Sequence, residues 1–234
     1  MTTTDIDAYF RRLLKIEDWA SCDSALNGLQ VDNSGVPVCK IAFAVDASLE
    51  TFERANAIGA GMLFVHHGLY WGHQIALTGN FRRRIKYLFD HDIALYAAHL
   101  PLDQHPELGN NAVLAEKLGM TALEPFGVYH GRTIGYKGTL TAPLTLDQAG
   151  ERIAYKSRPA VALLPFGKNI NTTCAVVSGG AAKEVEQALA EGVDLYITGE
   201  SAHSIYHTVM EGKLNMLCGG HYATEVWGPQ KLAE

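Results

Sequence analysis

Short apolar runs alternate with amphipathic segments along most of the chain, and this alternation constrains the fold more than any other feature. Apolar runs of strand length lie at 40–46, 62–65, 93–97, 173–177, 195–198 and 215–218. Segments with helical spacing of apolar residues lie between or beside them, at 49–58, 81–90, 109–118, 144–156 and 201–211. Strands that alternate with helices are typical of α/β proteins. We therefore predict an α/β protein with mixed, largely parallel sheets.

The middle of the chain departs from this alternation. Residues 132–141 form a β-rich stretch between glycines and a proline, which indicates an antiparallel piece. We predict two α/β lobes, 1–125 and 126–234, with a functional site in the cleft between them. In this arrangement residues 215–234 of the second lobe return to the shared site.

The composition and the charge bear on the partners of the chain. Hydrophobic residues make up 47% and charged residues 19%, which is ordinary for a soluble globular protein. The apolar runs are far shorter than the roughly 20 residues of a membrane-spanning helix, and the N-terminal residues do not resemble a signal peptide. We expect a cytoplasmic protein. The net charge of −6 argues against nucleic acid as a partner, and the basic residues at 82–86 are interpreted as a solvated helix face.

Two adjacent histidines, His66 and His67, follow the apolar run at 62–65 and precede Gly68. Open α/β sheets place their sites at the carboxyl ends of strands. Successive strand residues point to opposite faces, but a turn at Gly68 would let both imidazoles reach one cleft while still diverging. That arrangement suits two metal ions better than one. The pair alone is weak evidence, because this histidine content gives about 0.4 adjacent pairs by chance.

A second strand end carries His99 and Asp103, which follow the run at 93–97. Pro101 stiffens the intervening loop and would fix the direction of the Asp103 side chain. A lone carboxylate after a strand is more often a turn former or a helix cap. The nearby imidazole favours a functional interpretation.

A third strand end carries His221 and Glu225, which follow the run at 215–218. Residues four apart share one face of a helix, so an imidazole and a carboxylate would reach a common point. The alternative is an ordinary βα turn capped by Thr224.

A fourth strand end, after the run at 195–198, carries Glu200 and His203, which are candidates for a general acid or base. A glutamate beside a helix dipole is the ordinary explanation of such a residue. Four strand ends that each carry His, Asp or Glu are harder to explain as independent accidents. Their convergence predicts a functional site.

The four cysteines are far apart and form no C-x-x-C pair, so neither a thiolate metal site nor a disulfide framework is predicted. The candidate ligands therefore offer only nitrogen and oxygen atoms. Such donors suit zinc, manganese, iron, nickel or magnesium. We expect two divalent metal ions as cofactors.

The order of these motifs resembles that of a known family. The motifs are Asn27-Gly28-Leu29-Gln30-Val31, His66-His67-Gly68, His99 through Asp103, Ile197-Thr198-Gly199-Glu200 with His203, and Gly220-His221 through Thr224-Glu225. Together they span nearly the whole chain and resemble the YbgI-like (Nif-three-like) family of GTP cyclohydrolase 1 type 2 homologues. The resemblance implies a two-lobed α/β fold, a dinuclear metal centre in the cleft and a ring-shaped homohexamer.

The resemblance also implies a role for each candidate ligand. Carried over residue by residue, His67 and Asp103 would bind one metal ion. His66 and His221 would bind the other, and Glu225 would bridge the two ions.

The resemblance further implies that His99 and His203 line the pocket, where they would either support the metal ligands or transfer protons. Glu200 stays a candidate acid or base beside His203. The segment 27–30 would be structural or pocket-lining.

The predicted chemistry is hydrolysis of a small molecule. Two cations about 3.5–4 Å apart lower the pKa of a bound water and polarise a carbonyl or phosphoryl group. Ring opening of a purine nucleotide would be one instance. No G-x-x-x-x-G-K-[ST] phosphate loop is present, so the nucleotide substrate rests on the resemblance alone. Two alternatives stay open: a non-enzymatic metal-binding or regulatory protein, and structural histidines that bind no metal.

Overall fold

The computed structural model describes residues 1–234 and divides them into two compact units. One unit comprises Met1–Leu102 with Pro229–Glu234, and the other comprises Asp103–Gly228. This division does not coincide with the predicted boundary near residue 125. Asp103, predicted in the first lobe, belongs to the second unit, and the end of the chain belongs to the first. The predicted lobes stay a prediction about separately folding domains.

The first unit contains a four-stranded mixed sheet. Its strands are β1 (Gly28–Val31), β2 (Ile41–Asp46), β3 (Met62–His67) and β4 (Ala94–Ala97), in the order β1-β4-β3-β2. Strands β2, β3 and β4 are parallel, and β1 runs antiparallel to β4. The three parallel strands therefore end at the same edge of the sheet, where a site is expected.

The helices of the first unit cover both faces of this sheet. They are α1 (Thr3–Leu14), α2 (Leu49–Ala57) and α3 (Gly79–Asp90), with a 3₁₀ turn at Ile16–Trp19. Ser48 is the N-cap of α2, and its hydroxyl accepts a hydrogen bond from the Thr51 backbone N–H at 3.2 Å. Phe10 packs against Phe64 on one face, while Phe52 and Leu63 belong to the core on the other. Because β3 is buried on both faces, its first four residues, 62–65, are all apolar.

The second unit contains a six-stranded mixed sheet. Its strands are β5 (Met120–Tyr129), β6 (Arg132–Leu144), β7 (Ala162–Pro165), β8 (Asn171–Val176), β9 (Leu195–Thr198) and β10 (Asn215–Cys218), in the order β5-β6-β8-β9-β10-β7. Strands β8, β9 and β10 are parallel. Strand β6 pairs antiparallel with β5 and β8, and β7 with β10. The antiparallel piece predicted at 132–141 and the mixed α/β class are both confirmed.

The remaining helices are short. They are α4 (Leu100–Asp103), α5 (Asn110–Leu118), α6 (Leu146–Ile153), α7 (Val185–Ala190), α8 (Tyr206–Glu211), α9 (His221–Glu225) and α10 (Trp227–Ala233). Helix α5 is capped at its C-terminus by Gly119, whose φ of +72° places it in the left-handed region that glycine tolerates. No helix is both long enough and apolar enough to cross a membrane.

Candidate metal centre

Three histidines of the first unit lie together at the carboxyl ends of β3 and β4. The ring centroids of His66 and His67 are 4.7 Å apart, and the His99 centroid lies 5.1 Å from that of His66 and 5.8 Å from that of His67. One ring nitrogen of each histidine lies within 4.8 Å of those of the other two. Imidazole nitrogens are common metal ligands, and these three form a group that could hold a metal ion. The first unit therefore supplies a cluster of nitrogen donors.

The end of β3 extends further than the sequence predicts, because both His66 and His67 lie within the strand. Gly68 follows directly, and a Cβ atom there would lie 2.3 Å from Nε2 of Gln30. The Gln30 side chain fills this space: its Oε1 accepts from Leu69 N at 2.7 Å, and its Nε2 donates to Leu26 O at 2.6 Å. Gly68 is therefore needed for the close approach of Gln30. The hydrogen bond from Leu69 N to Gln30 holds the backbone just after the histidine pair.

Each imidazole of this cluster is held through Nδ1 by an oxygen atom. Nδ1 of His66 lies 3.0 Å from the Ala98 carbonyl oxygen, and Nδ1 of His67 lies 2.9 Å from Oδ1 of Asp46. Nδ1 of His99 lies 2.9 Å from Oδ1 of Asp23. Carbonyl and carboxylate oxygens accept hydrogen bonds, so in each neutral ring the proton is on Nδ1 and the lone pair is on Nε2. Metal-binding histidines in proteins are held in this way.

The carboxylate of Asp103, in the second unit, is buried, with 5% of the residue exposed. Its Oδ1 accepts hydrogen bonds from Nδ2 of Asn110 at 2.9 Å and from the Ser178 hydroxyl at 2.8 Å. The amide of Asn111 donates to the Asp103 backbone carbonyl at 3.3 Å and accepts from Ser178 N at 2.7 Å. Hydrogen bonds to an ionised oxygen are strong, so these contacts fix the orientation of the carboxylate.

Helix α9 carries both His221 and Glu225 in the second unit. Nε2 of His221 lies 3.2 Å from Oε1 of Glu225, which confirms that the four-residue spacing brings the two side chains together. Glu225 is only 2% exposed. One of its carboxylate oxygens lies within 4.8 Å of an oxygen of Asp103. A bound cation would offset the cost of burying two carboxylates this close together.

Glu200 and His203 occupy different positions in the second unit. Oε1 of Glu200 lies 2.8 Å from Nδ1 of His221, so this imidazole is also held through Nδ1 by an acceptor. His203 is exposed and begins a 3₁₀ turn, His203–Ile205. The structure brings Glu200 to His221, whereas His203 is not part of the clusters of potential metal ligands. The catalytic roles of both residues stay predictions.

Two glycines allow the turns after β8, β9 and β10 to pack closely. A Cβ atom on Gly179, whose φ is +69°, would lie 2.2 Å from Oε1 of Glu225. A Cβ atom on Gly199 would lie 2.7 Å from both the Gly179 carbonyl oxygen and Cα of His221. Thr224, the possible turn cap, accepts a hydrogen bond from Gly179 N at 3.0 Å. The positions of His221 and Glu225 on α9 therefore depend on the absence of side chains at Gly179 and Gly199.

Apart from Glu200, the residues that hold these histidine and carboxylate side chains are absent from the sequence prediction. Asp46 could have been found, because it ends the predicted strand at 40–46 and pairs in parallel register with His67. Asp23 lies 76 residues from His99, and Ser178 lies 75 residues from Asp103. No local pattern connects residues so far apart in the chain.

The fold and these two groups of donors define a class: α/β proteins with histidine and carboxylate side chains that can bind metal ions. The model of one family, described as Duf34/NIF3 (NGG1p interacting factor 3), matches residues 1–234. The chain belongs to this family. The resemblance drawn from the motifs is thereby confirmed.

Relatives of the chain support the same assignment. A protein of Treponema pallidum named GTP cyclohydrolase 1 type 2 homolog is 44% identical, over 100% of this chain and 93% of its own length. The structure of TTHA1606 from Thermus thermophilus is 35% identical, with a TM-score of 0.88 over 100% of this chain and 92% of its own. The structure of protein ybgI is 34% identical, with a TM-score of 0.90 over 99% and 92%. The fold is therefore shared over nearly the full length of these proteins.

Proposed function

We propose that the chain binds two divalent metal ions through five residues and uses them to hydrolyse a small molecule. The residues are His66, His67, Asp103, His221 and Glu225. The observation that carries this proposal is the proximity of two buried carboxylates, Asp103 and Glu225, whose oxygens lie within 4.8 Å of each other. A cation between them offsets the repulsion and the loss of hydration that two such charges incur on burial.

The donor set fits a metal ion in its chemistry. Imidazole nitrogen and carboxylate oxygen suit zinc, manganese, iron, nickel or magnesium. His66, His67 and His221 are each held at Nδ1 by an acceptor, and Nε2 would be the metal-binding atom of each imidazole. By family resemblance, His67 and Asp103 bind one ion, His66 and His221 the other, and Glu225 bridges them.

The chemistry of hydrolysis divides between the ions and the side chains. Bound divalent ions would lower the pKa of water and polarise a carbonyl or phosphoryl group of the substrate. Glu200 orients His221 by accepting the hydrogen bond of its Nδ1. His99, beside His66 and His67, serves as a proton-transfer group, and His203 is a second candidate for that role. The name of the Treponema relative favours a nucleotide or a related heterocycle as the substrate.

The test of this proposal combines metal analysis with a substrate screen. Untagged protein is analysed for metal by mass spectrometry and then titrated with Zn²⁺, Mn²⁺ and Fe²⁺. The loaded protein is screened against nucleotides, phosphate esters and amides. We expect two equivalents of metal and turnover that both Asp103→Ala and Glu225→Ala abolish. Protein that takes up no metal contradicts the whole proposal, whereas loaded protein without turnover supports a non-enzymatic, regulatory role.

We also propose that the chain acts in the cytoplasm as a homohexamer, as the family resemblance implies. The mass of one chain is 25.4 kDa. Light scattering on the purified protein should therefore give a mass six times that value. A monomeric mass at micromolar concentration contradicts the hexamer and leaves the metal proposal untouched.

A further inference from the structure

The Asp23 side chain, in the first unit, is a buried carboxylate that receives four hydrogen bonds. It is 1% exposed. Its oxygens accept from Ala25 N at 2.9 Å, from Nδ2 of Asn27 at 2.9 Å, from Nδ1 of His99 at 2.9 Å and from Leu100 N at 3.1 Å. A carboxylate has about four lone-pair positions, so these donors use its full capacity. Hydrogen bonds donated to a carboxylate favour its ionised form.

The charge state of Asp23 determines which atom carries the shared proton. Burial raises the pKa of Asp23, but the hydrogen bond and charge of His99, together with the hydrogen bonds from Asn27 and Ala25, lower it to a greater extent. The net pKa lies below the ordinary value of an aspartate. Ionised Asp23 can only accept, so Nδ1 of His99 donates to it.

Asn27 holds the backbone of the same histidine. Its Oδ1 accepts from His99 N at 2.7 Å, while its Nδ2 donates to Asp23. Gly28 follows with a φ of +113°, and a Cβ atom there would lie 2.5 Å from the Arg11 guanidinium. The segment that includes Asp23 and Asn27 therefore controls both the ring and the main chain of His99. This contact gives the Asn27-Gly28-Leu29-Gln30 motif a role that its sequence does not reveal.

We propose that Asp23 is a positioning residue that holds His99 in the tautomer protonated on Nδ1. Nε2 of His99 then presents its lone pair to the cluster formed with His66 and His67. There it accepts a hydrogen bond from water or substrate. This role rests on the proposed metal-dependent function, but the tautomer itself can be measured without metal.

The direct test is neutron diffraction from wild-type crystals, metal-free and Zn²⁺-loaded, at a pH well above the ordinary histidine pKa of roughly 6.5. The expected result is a deuteron on Nδ1 of His99, directed at Asp23, and none on Nε2 in both crystals. A deuteron on Nε2, with or without one on Nδ1, overturns the proposal. This measurement requires no variant, so a folding defect cannot obscure it.

The Asp23→Asn variant tests whether Asp23 causes the tautomer. The introduced amide replaces one acceptor oxygen of the carboxylate by an NH₂ group, which faces groups that now donate to Asp23. When this NH₂ group faces His99, Nδ1 of His99 has to accept the hydrogen bond. We expect the deuteron of His99 to move to Nε2. Asp32→Asn, an exposed aspartate of the same unit, is the matched control and should leave His99 unchanged. A His99 deuteron that stays on Nδ1 in Asp23→Asn contradicts the inference.

Metal content separates this inference from the proposed function. Asp23 is not a proposed ligand, so Asp23→Asn should retain the metal of the wild type, whereas Asp103→Ala should lose it. Wild-type protein without metal affinity, but with His99 protonated on Nδ1, would refute the metal function and leave the positioning role of Asp23 intact. Metal binding together with a deuteron on Nε2 of His99 would refute the positioning role of Asp23 and leave the metal function intact.

Discussion

The hydrogen bonds that hold the imidazoles of the first unit and the Asp103 carboxylate of the second unit run in opposite directions. In the first unit, His66 and His67 donate from Nδ1 to the Ala98 carbonyl and the Asp46 carboxylate. In the second, Asp103 accepts from an amide and a hydroxyl. Both arrangements fix the side chain through a hydrogen bond at one of its polar atoms. The comparison teaches that the type of side chain determines the group that supports it. An imidazole held through its N–H needs a hydrogen-bond acceptor, whereas a carboxylate needs a hydrogen-bond donor.

The two units also differ in the backbone that carries the donors. His66 and His67 lie within a buried parallel strand, where the sheet fixes their positions. Glu225 lies on a five-residue helix that packs against a glycine turn. We therefore expect the second unit to be more sensitive to steric changes near its donors.

The largest expected effect comes from removing the proposed bridging ligand. Glu225→Ala should lose both metal ions, whereas His67→Ala should lose one, because a bridging carboxylate binds both ions. The measurement is metal content by mass spectrometry after dialysis, with an exposed histidine variant, His207→Ala, as the control. Equal metal loss in Glu225→Ala and His67→Ala contradicts the bridging role.

A second prediction concerns the glycine turn beside Glu225. Gly179→Ala combines a positive φ of +69° with a Cβ atom 2.2 Å from Oε1 of Glu225, whereas Gly192→Ala has a φ of +68° and no atom within 4 Å. Left-handed strain costs about 1–2 kcal/mol in each variant. Gly179→Ala should lower the free energy of unfolding by a further ~1–3 kcal/mol because of overpacking. Denaturant unfolding measures the difference, and equal values for the two variants would remove the steric role of Gly179.

A third prediction compares the acceptors behind the histidines of the two units. Asp46→Asn affects His67, and Glu200→Gln affects His221. Each should weaken metal binding roughly 10–100-fold, because loss of such a partner lowers the affinity of a histidine ligand. Calorimetric titration with Zn²⁺ measures the effect, with Asp32→Asn as the control. An unchanged affinity in one of the two variants would show that the units do not share this mechanism.

The smallest expected effect comes from Ser178→Ala, which removes one of the two hydrogen bonds to Oδ1 of Asp103. Because Asn110 still holds the carboxylate, the metal affinity should fall by about tenfold, the low end of the range for such supporting groups. The exposed Ser204→Ala is the control for the same titration. A loss as large as that in Asp103→Ala would mean that Ser178 does more than orient the carboxylate.

The sequence predicts the parts of the fold that are buried on both faces. Strands β3, β9 and β10 are mostly apolar because both of their surfaces are covered. Strand β5 was not predicted, because residues 121–125 are exposed and Pro125 interrupts the pattern. Edge strand β7 is only four residues long and carries little periodic signal.

The same distinction applies to the candidate site. His66, His99 and His221 could be identified because each lies at or just after the end of an apolar strand. A supporting partner such as Asp23 could not be identified, because its hydrogen bond to His99 joins segments 76 residues apart. Strand-end residues follow from local patterns, whereas the groups that orient them follow from the assembled tertiary fold.

The most direct test of the central claim is anomalous diffraction from a crystal loaded with Zn²⁺ and measured on both sides of the zinc absorption edge. The account predicts two zinc ions per chain, bonded at about 2.0–2.2 Å to nitrogen and oxygen atoms of His66, His67, Asp103, His221 and Glu225. Zinc found only at exposed histidines, with these five side chains free of metal, would contradict it.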